Sequence, residues 1–420
     1  MDFSLSEEQE MLKTMARDFL ETECPEAVIR DTLRSDKGYS PELWGKIAEL
    51  GWMGISFPEK YGGTEQSIID LAVLYEEMGR GLFASPHLST VVLGGETILA
   101  AGSEAQKDEL LPKIVNGELI LSAAITEPQS SWDGKAWEPE GVTVPAVAAG
   151  DDYVIDGVKL FVHDAHVADH ILCAARTGNG GKAADGITLF LVDTKSPGIT
   201  CNILDTVSGS NKQSEVIFDK VKVPKKNIIG ELNGGWAPLA RSMQIGAVML
   251  CAEMVGAGQK VLELTVDYAK TRIQFDMPIG INQHVQAHCV YLVGNVDTSR
   301  WVTYLAAWKL SENMDCDLDV SIAKAWTSEA YERACWLAHQ VFAGVGSTEA
   351  LGLMPLYTRM GNSDQYYLGD PSQHMEVIVR ELEKLPPQEK PKGKPLGLWE
   401  PGGEKLPAWD IWKEYYERNR

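Results

Sequence analysis

The chain has 420 residues, and its 38 Lys and Arg against 60 Asp and Glu give a formal net charge of −22. A hydrophobic fraction of 44% with 23% charged residues is ordinary for a globular protein, and the length allows two or three structural units. The negative charge argues against nucleic-acid binding, because polyphosphates need a cationic surface, although a local basic pocket for a small anion is compatible with it.

Membrane attachment and disulfides are not expected. No stretch of the sequence approaches the apolar length needed to cross a bilayer, and Met1-Asp2-Phe3 does not begin a signal peptide. The seven cysteines are scattered without a Cys-x-x-Cys pair, which is typical of reduced thiols. The sequence therefore predicts a cytoplasmic protein.

A helical domain is predicted for residues 1–120. Ser6 and Gln9 form a capping-box pattern ahead of apolar residues at helical spacing. Ser40-Pro41 places a good N-cap residue before a proline in the first helical position. Two further helices are predicted at 68–80 and 106–116.

A change to strand periodicity begins a second predicted domain, residues 121–230. Two apolar runs, 153–155 and 158–162, flank Asp156-Gly157, a dipeptide that predicts a β-hairpin. We expect a small β-barrel or sandwich in this domain. Further strands are predicted at 186–192, 198–204 and 214–223.

A bundle of long helices is predicted for residues 231–385. Residues 236–270 contain almost no helix breaker and would span roughly 50 Å at about 1.5 Å per residue. Further long helices are predicted at 283–313 and 321–342. Such lengths favour an antiparallel bundle over a Rossmann sheet.

A C-terminal extension, residues 386–420, follows the predicted bundle. Its first residues, 386–392, are rich in proline and lysine, which predicts an extended linker. Residues 409–416 fit either a short amphipathic helix that docks on a neighbour or part of a disordered tail, although their aromatic side chains argue against the tail.

Five motifs connect these domains to a known family. In their order and spacing they resemble motifs of the acyl-CoA dehydrogenases, over residues 1 to about 385. The resemblance implies an α+β fold with an N-terminal helical domain, a middle β-barrel domain and a C-terminal four-helix bundle. It also implies FAD as cofactor and an acyl-CoA as substrate. The motifs are Ala124-Ile125-Thr126-Glu127-Pro128, Lys159-Leu160-Phe161-Val162, Arg272-Ile273-Gln274-Phe275 with Gln283, Gln340-Val341-Phe342-Ala343-Gly344, and Tyr367-Leu368-Gly369-Asp370.

The resemblance assigns cofactor contacts residue by residue. Ile125 and Thr126 would hydrogen-bond the flavin ring, and Phe161 would pack against it. His163 stands where relatives commonly carry a Thr or Ser that bonds the flavin. An aromatic wall and polar groups at one edge suit a flat tricyclic ring. The other cofactor-binding residues that the resemblance implies are Gln283, Gln340, Val341, Gly344, Gly369 and Asp370.

A neighbouring subunit enters the implied cofactor site. Arg272 would bind the FAD pyrophosphate of that subunit, and Phe275 would lie against its cofactor. The guanidinium is a planar, permanently charged fork that matches pyrophosphate oxygens, although Arg272 alone would equally fit an ordinary cation at a helix end. The resemblance therefore implies a homo- or heterotetramer.

The implied chemistry removes a proton from Cα and a hydride from Cβ of the thioester, which requires a carboxylate base. The sequence departs from the family at that base. Leu368 occupies the usual glutamate position, Gly246 occupies the alternative position on the long helix, and Ala247 replaces a neighbouring arginine. The substrate residues implied are Leu368, whose backbone N–H would hold the thioester carbonyl, Trp132, which would intrude on substrate space, and His87 in the acyl-pocket segment.

Glu253 is the candidate for a relocated base. It follows Gly246 by seven residues and so shares nearly the same helix face two turns on. Its neighbours are apolar, and desolvation would raise its pKa into a range that suits a base. The alternative is a structural carboxylate, and further candidates for the base are Asp164, Asp133 and His87.

No metal site is predicted. Residues 163–170 contain several potential ligands, but side chains alternate faces on a strand and cannot all converge. His284 and His288 lie four apart on a helix, yet Val285 replaces the glutamate of a metalloprotease motif. A Gly-x-Gly-x-x-Gly motif after a strand is also absent, which argues against a nicotinamide-binding Rossmann unit.

Three functions are compatible with these residues. The first is FAD-dependent dehydrogenation of a bulky or cyclic CoA thioester, with a relocated base and an electron-transfer flavoprotein or similar acceptor. The second is a subunit without its own base in a heteromeric acyl-CoA dehydrogenase, since 161–169, 252–256 and 368–370 resemble a heteromeric subgroup. The third is an FAD-containing acyl-CoA lyase or decarboxylase, whose non-oxidative chemistry needs no proton to leave Cα.

Overall fold

The computed structural model describes residues 4–132, 137–178, 181–206, 212–348 and 351–384. Residues 1–378 form one compact unit, and residues 379–420 form a second, of which 379–384 are described. The predicted extension at 386–420, with its linker and its 409–416 segment, lies outside the described residues, as does Asp133.

Helices make up the N-terminal part, as predicted. Ser6 Oγ accepts the backbone N–H of Gln9, and the Gln9 side chain accepts the N–H of Ser6, so the capping box is present. Ser40 Oγ accepts the N–H of Leu43 at 3.3 Å ahead of Pro41. A π-helical stretch, Leu88–Gly95, runs directly into α5. The helices are α1 Glu7–Glu23, α2 Glu26–Arg34, α3 Pro41–Glu49, α4 Ile68–Arg80, α5 Glu96–Ala101 and α6 Glu104–Val115.

Two four-stranded sheets form the middle part. Their orders are β1-β4-β5-β8 and β2-β3-β7-β6, and buried side chains from both, among them Cys173, Phe190, Val216 and Phe218, share one core. A short helix, α7 Pro128–Trp132, follows the first strand. The strands are β1 Leu121–Ala124, β2 Ala146–Ala149, β3 Asp152–His163, β4 His170–Arg176, β5 Ile187–Asp193, β6 Ile199–Ile203, β7 Gln213–Pro224 and β8 Ile228–Ile229.

The predicted hairpin at Asp156-Gly157 is wrong, because β3 is one continuous strand that pairs with β7 on both sides of this dipeptide. The pairing register shifts between Ile155 and Gly157. Strand β7 has one extra residue here, which forms a bulge. A Cβ at Gly157 would lie 2.8 Å from the side chain of Val144, which accounts for a glycine here without a turn. A second register shift, between Lys159 and Val162, places an extra residue in β3 near its end.

Long helices form the C-terminal part, with bounds close to those predicted. The longest, α8, packs against α4, α9 and α10. Added Cβ atoms at Gly79 and Gly256 would lie 1.9 Å and 1.6 Å from the carbonyl oxygens of Glu253 and Glu76, so α4 and α8 are in backbone contact. This contact fixes Glu253 against α4. The elements are α8 Trp236–Thr271, β9 Ile273–Gln274, β10 Met277–Pro278, α9 Gln283–Ser311, α10 Asp317–Phe342, α11 Met354–Asp364 and α12 Pro371–Glu383.

One helix in the described part of the chain, α8, is long and apolar enough to cross a membrane by length and composition, although the sequence predicts no such stretch. Of its most apolar 18-residue window, 78% is buried inside the fold. The core helix of a soluble protein passes the same test, so the length of α8 is a weak argument for a membrane span.

Candidate functional site

A buried ion pair holds the loop between β1 and α7 against strand β3. Lys159 Nζ lies 2.7 Å from Glu127 Oε1, and it also donates to the carbonyl oxygen of Ile125 at 3.0 Å. Glu127 accepts the backbone N–H groups of Thr143 and Val144, each at 2.9 Å. Although burial acts in the opposite direction, Lys159 and these donors lower the pKa of Glu127. The carboxylate is therefore a structural anchor for this loop.

The loop and the end of β3 bring four of the predicted cofactor residues together. Ile125 and Thr126 are buried, and the carbonyl oxygen of Thr126 accepts the N–H of Leu160 at 2.9 Å. Phe161 follows at the second bulge of β3 with a φ of +55° and is 40% exposed. A bulky residue rarely adopts positive φ, so the fold holds this aromatic ring outward against a local cost.

His163 ends β3 with a buried ring. Its imidazole stacks on Tyr367 with ring centres 3.6 Å apart and planes 12° apart, and its Nε2 lies 2.8 Å from Gln213 Nε2. Since the Gln213 amide nitrogen only donates, His163 Nε2 is the acceptor. Burial lowers the pKa of His163 to about 3, so the ring is neutral at physiological pH.

The two base positions known from the resemblance meet at one apolar contact. A Cβ built on Gly246 would lie 2.7 Å from Leu368 Cδ1 and 3.2 Å from Leu93 Cδ2. Leu368 is 4% exposed and has a φ of +58°. Neither position carries a group that accepts a proton, and the Leu368 side chain occupies the space next to Gly246.

A buried lysine and a histidine clamp the segment that carries Leu368. Lys324 is fully buried and donates to the carbonyl oxygens of Asp364, Gln365 and Gly369 at 2.8, 2.9 and 3.1 Å. His374 Nε2 lies 3.0 Å from the carbonyl oxygen of Leu368, so this nitrogen carries the proton. Burial lowers the pKa of Lys324 to about 8 and that of His374 to about 4.

Two other predicted cofactor residues follow in the same segment. Gly369 has a φ of +101°, and a Cβ there would lie 2.6 Å from His374 Nε2, so glycine is required. Asp370 accepts the backbone N–H of Gln373 at 2.9 Å and the hydroxyl of Ser372 at 2.6 Å, which caps α12. Burial acts in the opposite direction, but these hydrogen bonds lower the pKa of Asp370. This helix cap is a structural task that the sequence analysis did not predict.

A narrow cavity of about 30 Å³ lies one to two helical turns beyond Gly246 along α8. Its wall joins α4, the segment before the π-helical stretch, the end of β3 and α8. Apolar side chains supply much of the lining, and two carboxyl groups, Asp164 and Glu253, also face it. The apolar lining residues are Met78, Phe83, Leu88 and Leu250.

Both carboxyl groups in this cavity are shifted toward the protonated state. Burial raises the pKa of Asp164 to about 7, although the Ser89 hydroxyl, which donates to Asp164 Oδ2 at 2.7 Å, acts in the other direction. Burial and the nearby charge of Asp364 raise the pKa of Glu253 well above its ordinary value. Glu253 therefore has the desolvated setting that the sequence predicts for it.

His87, a predicted substrate residue, lies in the cavity wall with both ring nitrogens engaged. Its Nε2 is 3.2 Å from the carbonyl oxygen of Trp52, and its Nδ1 is 2.9 Å from the hydroxyl of Tyr75. Because a carbonyl only accepts, Nε2 carries the proton and Nδ1 accepts from Tyr75. Burial lowers the pKa of His87 to about 4, so the ring is neutral.

The hairpin after α8 presents Arg272 and Phe275 to the surface. Phe275 and Asp276 both have positive φ, at 53° and 64°, which is the pattern of a type I′ turn between β9 and β10. Phe275 is 98% exposed, so no other described residue covers its ring, and its backbone has a φ that a bulky residue rarely adopts. Arg272 is also exposed.

The remaining predicted cofactor residues lie on the same end of the bundle. The Tyr268 ring near the end of α8 contacts the Phe342 ring at the end of α10, with ring centres 4.9 Å apart. Gln340 and Gly344 are exposed beside this contact in sequence, and Val341 is buried. Gln283 begins α9 and is exposed.

Trp132, the third predicted substrate residue, is the last residue of α7, and its side chain lies outside the described part of the structure. Within the described residues, no group of three or more His, Cys, Asp or Glu side chains is placed to hold a metal ion. His284 and His288 contact each other edge to face, with ring centres 4.7 Å apart.

Sequence reasoning missed the supporting residues Lys324, His374 and Tyr75. Lys324 had a detectable signal, since it is a cation in an apolar run of a predicted buried helix. Its neighbours Ala323 and Ala325 gave that run its apolar character. His374 and Tyr75 had no such signal, because their partners lie on other elements.

Comparison with known proteins identifies the family. The N-terminal, middle and C-terminal domains of acyl-CoA dehydrogenases match residues 6–118, 122–221 and 233–382. The chain is 31% identical to the probable acyl-CoA dehydrogenase YngJ of Bacillus subtilis over 84% of its own length and 92% of that protein. It belongs to the acyl-CoA dehydrogenase family.

Solved structures agree with this family. Butyryl-CoA dehydrogenase of Megasphaera elsdenii superimposes with a TM-score of 0.84 at 28% identity, covering 91% of this chain and 100% of that one. The structure of PigA with FAD and proline superimposes with a TM-score of 0.83 at 26% identity, covering 91% and 99%. The predicted α+β acyl-CoA dehydrogenase fold is confirmed.

The described residues of this acyl-CoA dehydrogenase fit its cofactor, FAD. Thr126 Oγ1 is buried and, within the described residues, has no hydrogen-bond partner. An orphaned hydroxyl beside a half-exposed aromatic ring, Phe161, suits a flat ring with a polar edge. The chain is an FAD-dependent oxidoreductase of this family.

Proposed function

We propose that this acyl-CoA dehydrogenase transfers hydrogen at the α,β bond of a cyclic CoA thioester, using a carboxyl group of the acyl cavity for proton transfer. The observation that supports it is the contact of Leu368 with Gly246, next to a cavity that holds Glu253 and Asp164. FAD, when bound, supplies the hydride acceptor for Cβ. The chain itself must then hold the thioester and take the proton from Cα.

Glu253 is the proposed proton acceptor. Its pKa is raised by burial and by the charge of Asp364, so the ionised carboxylate takes up a proton readily. Its Cα lies about 10 Å along α8 from Gly246, at about 1.5 Å for each of seven residues, and helical side chains point back toward the N-terminus. This separation makes Asp164 the competing candidate, since it lines the same cavity from the end of β3.

The thioester carbonyl is proposed to lie at the backbone N–H of Leu368. Lys324 and His374 hold the carbonyl groups on both sides of this peptide, so its direction is fixed before substrate arrives. A fixed N–H donor stabilises the negative charge that develops on the carbonyl oxygen as the Cα proton leaves.

A cyclic acyl group is the proposed substrate. The cavity, at about 30 Å³, holds little more than one water molecule, so its lining side chains must move to admit an acyl group. Two relatives support a ring: cyclohex-1-ene-1-carbonyl-CoA dehydrogenase of Geobacter metallireducens, at 32% identity, and an L-prolyl-[peptidyl-carrier protein] dehydrogenase of Serratia, at 29%.

We propose an electron-transfer flavoprotein, or a similar protein, as the redox partner. A relative from Acetobacterium woodii is the caffeyl-CoA reductase-Etf complex subunit CarC, at 29% identity. Because that relative is named as a reductase, the same carboxyl group would donate the proton when the reaction runs in the reductive direction. The protein is further proposed to act in the cytoplasm as a homo- or heterotetramer.

A second candidate is a subunit that completes the site of another chain. The Leu368–Gly246 contact favours it, because both family positions for the base are apolar. Exposed Arg272 and Phe275 would serve the cofactor of a partner in this case as well.

The test is an anaerobic titration of the purified full-length protein with cyclic and linear acyl-CoA esters, followed at the flavin absorption band. Bleaching by a cyclic ester with formation of the α,β-unsaturated product supports the proposal. Bound flavin that stays oxidised while CoA or CO₂ is released would indicate the lyase or decarboxylase. Protein that binds flavin only with a second, different chain would indicate the heteromeric subunit.

A further inference from the structure

Two carboxyl groups face one cavity, and the proposed reaction uses one of them. Proton transfer at Cα of an uncharged acyl group needs a single carboxyl group, which Glu253 supplies. Asp164 then has no task in that reaction, yet burying it beside apolar side chains is unfavourable. Ser89 donates to one of its oxygens, Oδ2, at 2.7 Å.

The hydrogen bonds around His87 make the Tyr75 oxygen an acceptor at the cavity wall. Trp52 fixes the proton of His87 on Nε2, so Tyr75 must donate its single proton to Nδ1. The Tyr75 oxygen can then only accept from a ligand. Glu253 makes no hydrogen bond with another described residue, and the oxygens of its carboxyl group can accept as well.

The cavity presents two carboxyl groups and, among the described residues, no cation. Among the described residues that line it, none is Lys or Arg, and both histidines, His87 and His163, are neutral. A ligand with several N–H donors and a positive charge complements such a wall, because charge-assisted hydrogen bonds to carboxylates are the stronger kind.

We propose that the cavity takes an acyl group that carries a protonated amine, with Asp164 as its counter-ion and Tyr75 as a neutral acceptor. The substrate class is therefore an aminoacyl thioester, and a saturated nitrogen ring agrees with the cyclic substrate proposed above. This assignment rests on the proposed function for the thioester end of the ligand. The pKa of Asp164, which burial raises to about 7, agrees, since an ammonium group stabilises the ionised form.

The test uses two unreactive CoA thioethers that differ in one ring atom. S-(piperidin-4-ylmethyl)-CoA carries the ammonium, and S-(cyclohexylmethyl)-CoA is its uncharged counterpart of similar shape. Neither has an acidic Cα proton, so calorimetric titration of the FAD-loaded protein measures binding without turnover. We expect the piperidine thioether to bind about 10-fold more tightly, or more.

Three variants separate the roles of the carboxyl groups. Asp164→Asn should reduce the preference for the piperidine thioether to about 3-fold or less, while affinity for the cyclohexyl thioether stays nearly constant. Glu253→Gln should keep most of the preference. Asp193→Asn is the matched control, since Asp193 is exposed at the end of β5, outside the cavity.

Equal affinity of the wild-type protein for the two thioethers would overturn the proposal, and this comparison needs no variant to fold. An undiminished preference in folded Asp164→Asn protein would overturn the role of Asp164. The proposed function fails separately, if no cyclic thioester reacts although the piperidine preference is present. Conversely, turnover of cyclohexanecarbonyl-CoA without any amine preference would retain the function and remove this inference.

Discussion

At the residue scale, the proposed chemistry depends on the carboxyl groups of Glu253 and Asp164. Both face a cavity whose other walls are largely apolar, and both have raised pKa values. The positions that carry a base in relatives hold Leu368 and Gly246, and these two residues pack against each other. In the proposed reaction the proton acceptor for Cα therefore comes from elsewhere in the pocket, and Glu253 is the proposed residue.

Glu253→Gln should keep bound FAD but slow flavin reduction by substrate by about 100-fold or more, because general-base catalysis typically contributes 10²–10⁴-fold. The measurement is anaerobic stopped-flow absorbance at the flavin band. Asp164→Asn, assayed in parallel, should lose affinity for an amine-bearing substrate and retain its maximal rate. The opposite result, a lost rate in Asp164→Asn alone, would assign the base to Asp164.

A restoring variant sharpens this test. Leu368→Glu in the Glu253→Gln background places a carboxylate at the position that relatives use, where the side chain already lies against Gly246. We expect partial recovery of flavin reduction. If flavin reduction does not recover in a folded, FAD-containing double variant, the substrate Cα does not lie where relatives place it beside this position.

Asp164→Asn should also change the pH dependence of stability. The folded-state pKa of Asp164 is about 7, above its unfolded value near 4, so the folded protein binds the extra proton between these values. The contribution of Asp164 to stability is therefore present at low pH and is lost as pH rises through 7. Relative to the wild type, the Asp164→Asn variant should gain about 1 kcal/mol or more between pH 4.5 and 7 in urea unfolding. Asp193→Asn, on an exposed residue, should show no such trend.

At the scale of elements, the segment between α11 and α12 positions the backbone N–H that is proposed to hold the thioester carbonyl. It carries Leu368 at positive φ, and Lys324 on α10 holds three of its carbonyl oxygens. The chain there is irregular, so its backbone groups depend on side chains for their hydrogen bonds. The Lys159–Glu127 pair does the same for the loop that carries Thr126.

Lys324→Met should lower the free energy of unfolding by roughly 3–5 kcal/mol, because three buried carbonyl groups lose their donor. Chemical denaturation of the FAD-loaded protein measures this. Lys309→Met is the control, since Lys309 is 25% exposed and pairs with Asp319, a kind of ion pair worth about 1 kcal/mol or less. A similar loss of unfolding free energy in both variants would contradict a large stabilising role for the hydrogen bonds from Lys324 to these carbonyl groups.

Sequence patterns predicted helix-scale features well where the determinants are local. The Ser6–Gln9 capping box and the bounds of α8 follow from neighbours along the chain. The hairpin at Asp156-Gly157 was predicted wrongly, because the long partner strand β7, far along the chain, continues past the dipeptide and carries the extra residue of the bulge opposite Asp156. Local turn signals do not contain that information.

Exposed aromatic and apolar side chains on α9 and α10 are the main whole-molecule feature. Val290 and Tyr291 are 68% and 65% exposed, and Trp336 is 56% exposed. Trp301 and Phe275 add to the exposed aromatic surface. Surfaces of this kind mark protein–protein contacts, in agreement with the proposed tetramer.

Trp336→Glu should shift the protein from a tetramer to smaller species in sedimentation velocity, because a charge on an apolar contact surface must be desolvated on association. Met11→Glu on α1, also exposed, at 58%, serves as a control that should leave the tetramer intact. A monomeric wild-type protein, alone and with candidate partner chains, would contradict the prediction.

Arg272→Ala should lower the amount of FAD that remains bound after purification, because the guanidinium is proposed to hold the pyrophosphate across a subunit contact. The ratio of flavin to protein absorbance measures this. Lys270→Ala, two residues earlier at the same helix end, removes one positive charge and should leave the ratio unchanged. Unchanged flavin content in Arg272→Ala would remove the proposed cofactor map.

The sequence by itself determined the family and the order of helical, β and helical parts, and it predicts that both usual base positions are lost. Periodicity, caps and short motifs are local properties of the chain, so they can be interpreted without a structure. It also indicated Glu253 as a carboxyl group among apolar neighbours, where desolvation raises its pKa. The cofactor residues that it assigns to the bundle end stay predictions.

Only the tertiary structure decided how distant residues combine. It placed Leu368 against Gly246, Asp164 and Glu253 in one cavity, and the proton of His87 on Nε2. Each of these contacts joins residues of different elements. The Leu368–Gly246 and Asp164–Glu253 pairs are roughly ninety or more residues apart in the sequence. Packing brings such pairs together, and burial then shifts their pKa values. A local sequence pattern contains information on neither the packing nor the burial.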